Sequence, residues 1–224
     1  MKLVIVRHGE TEWNVQNKAM GQLDSPLTPK GIQQAYAIGD RLRRISFTTF
    51  YSSDLGRAVQ TANIIAEVCG KKVIFDSELR EWNMGIFQGL TVLEMHKKFP
   101  QERQDYERIG FEYVIPQGES LRQCRDRGFR VLNAIAKRCC EAQIAERHLD
   151  ETVVVVTHGC VLMGFFEMVL GLPPGNSWRF QLHNGNFCTF EYVNGRWSLI
   201  VWNDVSHLEN IETFSKDSAI SLRN

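Results

Sequence analysis

Lys2-Leu3-Val4-Ile5-Val6-Arg7-His8-Gly9 is the stretch on which the fold turns. Four consecutive apolar residues, two of them valine, read as a short strand covered on both faces, as in a parallel sheet. At its exit stand a permanent cation and an imidazole. Open α/β sheets bind ligands beyond the carboxyl ends of their strands, so Arg7 beside His8 points to phosphate chemistry.

Outward from that strand, the pattern alternates. Thr28 and Pro29 mark a helix start, with Ala35, Ile38 and Leu42 on one face to about Arg44. Thr48 to Tyr51 is rich in β-formers, a helix follows from about Asp54 to Cys69, and Lys72 to Phe75 is a third strand candidate. Residues 84–119 carry Pro100, Gly110, Pro116 and Gly118 and are expected to wander over the surface, apart from a short helix opened by Thr91 and Glu94. Ser120 and Gln123 open a long helix with Cys124, Leu132 and Ile135 on its stripe. Thr152 to Val156 is the strongest buried-strand signal, and His158-Gly159 leads into a helix ended by Gly171. Phe187 to Val193 and Trp197 to Trp202 flank Asn194-Gly195, a hairpin turn. The order predicts an α/β three-layer sandwich with a mostly parallel central sheet and an antiparallel edge strand. It implies one domain over 1–208, with a tail at 209–224.

Composition narrows the partners. Lys+Arg and Asp+Glu both number 26, so the formal net charge is zero, which argues against nucleic acid or an anionic membrane surface. A small phosphorylated metabolite responds only to local field and stays open. The six cysteines form no CxxC pair and no zinc spacing, so no metal is expected. With only four apolar residues before Arg7 and no transmembrane-length run, a cytoplasmic setting is expected. An exposed edge strand leaves monomer or homodimer open.

Parallel strands would gather Arg7, His8, Arg57, Glu81 and His158 at one sheet edge. Each has a task there. Two guanidiniums match phosphate oxygens with fork-shaped donors. His158 and the N–H groups of a helix N-terminus add further donors. One nitrogen of His8 can attack phosphorus if an acceptor holds the other. Glu81 is the nearest acid for the leaving alkoxide. No Walker-A loop or clustered Asp pair calls for Mg²⁺, and no cofactor is expected.

Arg7-His8-Gly9-Glu10-Thr11-Glu12-Trp13-Asn14 resembles the signature of the histidine phosphatase superfamily, which includes cofactor-dependent phosphoglycerate mutases. The likeness continues through Asp24 to Thr28, Gly31 to Ala35, Ser52 to Ala58, Leu79-Arg80-Glu81, Pro116 to Ser120 and Thr157-His158-Gly159. It implies that His8 is the phosphorylated nucleophile and that Arg7, Arg57 and His158 form the phosphate pocket. Glu81 is then proton donor and later base, Asn14 a polar contact, Gly159 a backbone donor, and Gln22 a residue facing substrate. The resemblance also implies a cap-like specificity insertion at 82–118. Mutases of this family usually carry His-Gly-Asn-Ser where this chain has His158-Gly159-Cys160-Val161, and a longer, more basic insertion after the Glu. The resemblance therefore implies a metal-independent phosphatase close to the bacterial phosphoglycerate mutase-like, broad-specificity phosphatases. A 2,3-bisphosphoglycerate-dependent mutase is the alternative, and a non-catalytic phospho-ligand binding module a weaker one.

Plainer roles stand beside these. Asn14 can simply cap a turn, and Gln22 can simply face water. Cys160, Trp13 and Trp82 read first as packing. Tyr106, Phe111 and Tyr113 can line the substrate mouth or cover the core. His207 reads as tail packing, and Lys137 to His148 as the solvated end of a helix.

Overall fold

The computed structural model describes residues 1–146 and 151–211. In chain order its elements are β1 (Lys2–Arg7), α1 (Glu12–Val15), α2 (Pro29–Leu42), β2 (Thr49–Ser52), α3 (Gly56–Cys69), β3 (Ile74–Phe75), α4 (Val92–Lys98), α5 (Pro100–Ile109), α6 (Leu121–Glu146), β4 (Thr152–Thr157), α7 (Gly159–Leu170), β5 (Phe187–Val193) and β6 (Arg196–Asp204). The sheet order is β3-β2-β4-β1-β5-β6. β1, β2, β3 and β4 are parallel, while β5 runs antiparallel to both β1 and β6. The mostly parallel sheet with an antiparallel edge is thus present, closed by a β5–β6 hairpin. Asn194 and Gly195 both take positive φ at its turn, the geometry that matches strand twist.

Covering on both faces explains the continuous apolar strands. Leu3, Ile5, Val153 and Val155 pack into a core with Leu132, Ile135, Leu162 and Phe165 of α6 and α7. Val4, Val6, Val154 and Val156 face the other way, toward Ile38, Leu42, Ala58 and Ile65 of α2 and α3. Alternate side chains of one strand therefore feed two cores.

Helix starts follow local capping. Thr28 Oγ1 accepts the Gly31 N–H at 3.0 Å, with Pro29 opening α2. Thr91 and Glu94 close a capping box on α4, and Ser120 with Gln123 does so for α6. The third strand shrinks from the expected four residues to Ile74–Phe75, both exposed at the sheet edge.

The expectation that 84–119 wanders over the surface is corrected. Phe87, Met95 and Ile115 are buried in the same core as Trp82, and α5 was missed. Pro100 misled the reading because it begins α5, where its missing N–H costs nothing. α5 also buries little beyond Arg103, so it lacks an apolar stripe. Of the tail at 209–224, residues 212–224 lie outside the described residues, as do 147 and 148 of the charged stretch.

Candidate active site

Register builds the centre of the site. β1 and β4 pair so that Arg7 lies opposite Thr157, and His8 N–H donates to the Thr157 carbonyl at 3.0 Å. His8 and His158 therefore leave adjacent strands together, with ring centroids 5.2 Å apart. Both imidazoles are buried, at 1% and 0% exposure. Gly9 permits the tight exit, because a Cβ there would sit 2.5 Å from the Gly31 carbonyl oxygen at the start of α2.

Two bonds fix the state of His8. Its Nδ1 lies 2.8 Å from the Gly9 carbonyl, which can only accept, so Nδ1 carries the hydrogen. Arg57 Nε donates to His8 Nε2 at 3.2 Å, so Nε2 holds the lone pair. Burial, then the charges of Arg57 and Arg7, push the His8 pKa well below its usual 6.5. The ring is a neutral imidazole whose Nε2 faces a cation.

Arg57 is pinned on every side. Its Nη1 donates to the Leu23 carbonyl at 2.9 Å and to Asp24 Oδ1 at 3.1 Å, and its Nη2 to the Gly21 carbonyl at 2.8 Å. Asp24 also accepts the Gly56 and Arg57 N–H groups, capping α3 from a distant loop. That explains why α3 begins at Gly56 without a side-chain cap of its own. Arg7 Nη1 donates to the Leu182 carbonyl at 2.7 Å, and its backbone N–H to Asn186 Oδ1 at 3.2 Å. Burial lowers both guanidinium pKa values, and the charge of Glu81 is the foremost influence opposing that shift.

His158 shares a 2.8 Å hydrogen bond between Nε2 and Ser53 Oγ. Its Nδ1 is buried without a hydrogen-bond partner among the described residues. Burial first, then Arg57, His8 and Arg7, pushes its pKa well below 6.5. Glu81 follows a 3₁₀ turn, Ser77–Leu79, whose last carbonyl accepts Thr157 Oγ1–H at 2.8 Å. Its Oε1 accepts Trp82 N–H at 2.9 Å and Cys160 N–H at 3.1 Å, which sets the carboxylate against the N-terminus of α7.

The structure thus brings Arg7, His8, Arg57, Glu81 and His158 together. Gly159 begins α7 and is buried beside them. Gln22 joins through Glu81, donating Nε2–H to its carbonyl at 3.1 Å. Asn14 Oδ1 accepts Thr11 N–H at 3.1 Å, completing the capping box of α1. Trp82 is core, and His207 bonds the Gly185 carbonyl at 2.9 Å, tying down the end of β6. Asn184 was missed. Its Nδ2 donates to the His8 carbonyl at 3.0 Å and lies 3.3 Å from Asn14 Oδ1. An Asn before Gly185 reads from sequence as a turn residue only. Ser53 and Asp24 lay inside quoted motifs, yet their bonds to His158 and Arg57 cross 105 and 33 residues.

Among the described residues no group of three His, Cys, Asp or Glu side chains is placed to hold a metal ion. The model of the histidine phosphatase superfamily (branch 1) matches residues 3–205. A protein of Escherichia coli O1:K1 / APEC named "Probable phosphoglycerate mutase GpmB" is 36% identical over 214 residues, covering 93% of this chain and 95% of its own. Bacillus stearothermophilus YhfR superposes with TM-score 0.80 at 31% identity, covering 93% of this chain and 99% of that one. A mycobacterial glucosyl-3-phosphoglycerate phosphatase in complex with VO3 gives TM-score 0.75 at 32% identity, covering 90% and 98%. Paired imidazoles and guanidiniums at the parallel-strand edge, together with a family match over nearly the whole chain, show that this protein belongs to branch 1 of the histidine phosphatase superfamily.

Proposed function

We propose that this protein hydrolyses small phosphomonoesters through a phosphohistidine on His8. The observation that carries the reading is the fixed tautomer, with Nδ1–H on the Gly9 carbonyl and the Nε2 lone pair held on Arg57 Nε–H, a bond that an incoming phosphate displaces before Nε2 attacks. In the first step Nε2 forms a bond to phosphorus while the ester P–O bond breaks. Glu81 gives its proton to the leaving alkoxide. Arg7, Arg57 and His158 Nδ1–H hold the transferring group, in a buried setting where such donors act strongly. Water then attacks the phosphohistidine, its proton passes to Glu81, and the P–N bond breaks. No step calls on a metal ion. Six free cysteines fit the proposed cytoplasmic setting.

Hydrolysis is preferred to mutase action on charge. A mutase must retain a bisphosphate while it reorients, which calls for cations beyond the phosphate pocket. Among the described residues, three basic side chains near the site are each matched by an acid: Arg80 by Asp54, Arg127 by Glu119, and Lys30 by Glu10. The mutase reading rests on the name carried by the 36% identical relative. One assay separates the two. With 3-phosphoglycerate and catalytic 2,3-bisphosphoglycerate, isomerisation without phosphate release would overturn the hydrolase reading. With a phosphomonoester panel, brief mixing and a quench should trap an acid-labile phosphoenzyme. The His8→Ala protein should give neither phosphoenzyme nor turnover, and persisting turnover in EDTA-treated His8→Ala protein would sink the mechanism.

A further inference from the structure

The Pro116-Gln117-Gly118-Glu119-Ser120 motif has no part in the chemistry above, yet it lies against the proton donor. Glu119, just before α6, and Arg127, in its second turn, form an ion pair at 2.7 Å with side chains only 19% and 12% exposed. Arg127 Nη1 donates to the carbonyls of Glu78 and Arg80 at 2.8 and 2.7 Å, and Nη2 to the carbonyl of Glu81 at 3.3 Å. Glu119 Oε1 accepts Asn83 N–H at 3.0 Å, and its carbonyl accepts Trp82 Nε1–H at 2.9 Å. Glu119 N–H in turn donates to the Asn83 carbonyl at 2.9 Å. From residue 78 to 83 the pair bonds every residue except Leu79, whose carbonyl is held by Thr157. Gly118 allows the approach, since a Cβ there would lie 2.4 Å from the Asn83 carbonyl oxygen.

Residues 80–84 have no helix or strand of their own to hold them. An ion pair this buried contributes little net stability compared with an apolar pair of the same size. What an apolar pair cannot do is fix three carbonyls and an N–H around one carboxylic acid. We propose that the Glu119–Arg127 pair is the positioning device for Glu81, setting proton transfer to the leaving group without touching the phosphate. This rests on Glu81 being the acid of the proposed reaction.

Leaving groups test it. An aryl phosphate such as 4-nitrophenyl phosphate expels its phenolate with little help, whereas an alkyl phosphate such as glycerol phosphate needs the proton. kcat/KM reports the steps up to phosphoenzyme formation, where that difference is felt. Arg127→Met should lower kcat/KM on glycerol phosphate by about 10–100-fold, the usual cost of losing an orienting partner. On 4-nitrophenyl phosphate the loss should stay within about threefold. A burst of nitrophenol should appear there, because water attack still needs Glu81. Arg127→Lys should recover little of the loss, since an ammonium cannot span the three carbonyls. Glu119→Gln provides a second, milder variant if Arg127→Met fails to fold. Equal losses on both substrates, or none on either, would overturn the proposal. Glu81→Gln is the reference: if it too shows no leaving-group dependence, the acid assignment itself falls. If only the Arg127 and Glu119 variants are flat, the positioning role alone falls.

Discussion

The nucleophile half and the acid half of the site are built in opposite ways. His8, Arg7 and His158 stand at the ends of β1 and β4, where parallel register places their backbones side by side. Glu81 stands on a segment without regular structure, and side chains from α6, the 116–119 strap and Gln22 hold it. Backbone ladders place the first half, and bonds from Asn184 and Arg57 trim it, whereas side-chain bonds hold the second. A group that forms a covalent bond to phosphorus must meet it in line within tenths of an ångström, which sheet geometry guarantees. A group that passes a proton tolerates a looser support, and a loop serves.

That contrast can be broken first at Arg57. Arg57→Ala removes a donor at the reacting centre and should cost about 10²–10³-fold in kcat/KM. It also removes the leading charge that holds the His8 pKa down, so that pKa rises. Activity needs neutral His8 and falls as pH drops through its pKa. The acid limb of kcat/KM should therefore move to higher pH in Arg57→Ala, and an unmoved limb would show that Arg57 does not set the nucleophile. Asp24, left without its partner, is 44% exposed and stays solvated, so the fold should survive.

Asn184 sharpens the comparison at a smaller scale. Asn184→Ala frees the His8 carbonyl, and kcat/KM should fall about 10-fold, in line with other orienting partners. Because it acts on the nucleophile half, the loss should be the same for alkyl and aryl phosphates, the reverse of the Arg127 result. A loss confined to alkyl phosphates would collapse the distinction between the halves.

The smallest effect is on stability alone. Burial pushes the His207 pKa down to about 4, so the native state resists its protonation. A histidine with a lowered folded pKa favours the native state above its unfolded value of about 6.5, and that contribution is lost as pH falls toward 4. The half-exposed position limits the contribution to no more than about 3 kcal/mol. In His207→Gln, which keeps a donor for the Gly185 carbonyl, the fall in Tm between pH 7 and pH 4 should be shallower than in the parent. Parallel pH profiles would refute the assignment. Turnover at pH 7 should hardly change.

Much of this was legible because the relevant signals are local. Capping by Thr28, Thr91 and Ser120 involves residues three apart, and each cap is found. The apolar runs of β1 and β4 announce strands buried on both faces, and strand ends announce where polar groups can gather. The acceptor needed for one nitrogen of His8 is the next carbonyl along the chain. What failed was not local. α5 was missed because its surface is charged and its proline reads equally as a break or a beginning. The second bond of Asn14, the cap on α3 from Asp24 and the hold of Asn184 on His8 join residues far apart in sequence.

Sequence by itself determined which residues are proposed to carry the chemistry and that parallel strands would gather them, because strand periodicity and residue type are written along the chain. Tertiary structure alone decided how each was held. It turned Arg57 onto His8 Nε2, tied Asn14 to Asn184, and set Glu81 in a frame made by Glu119 and Arg127. The reason is physical: a hydrogen bond depends on distances of about 3 Å, and only the packed core determines which distant residues come that close.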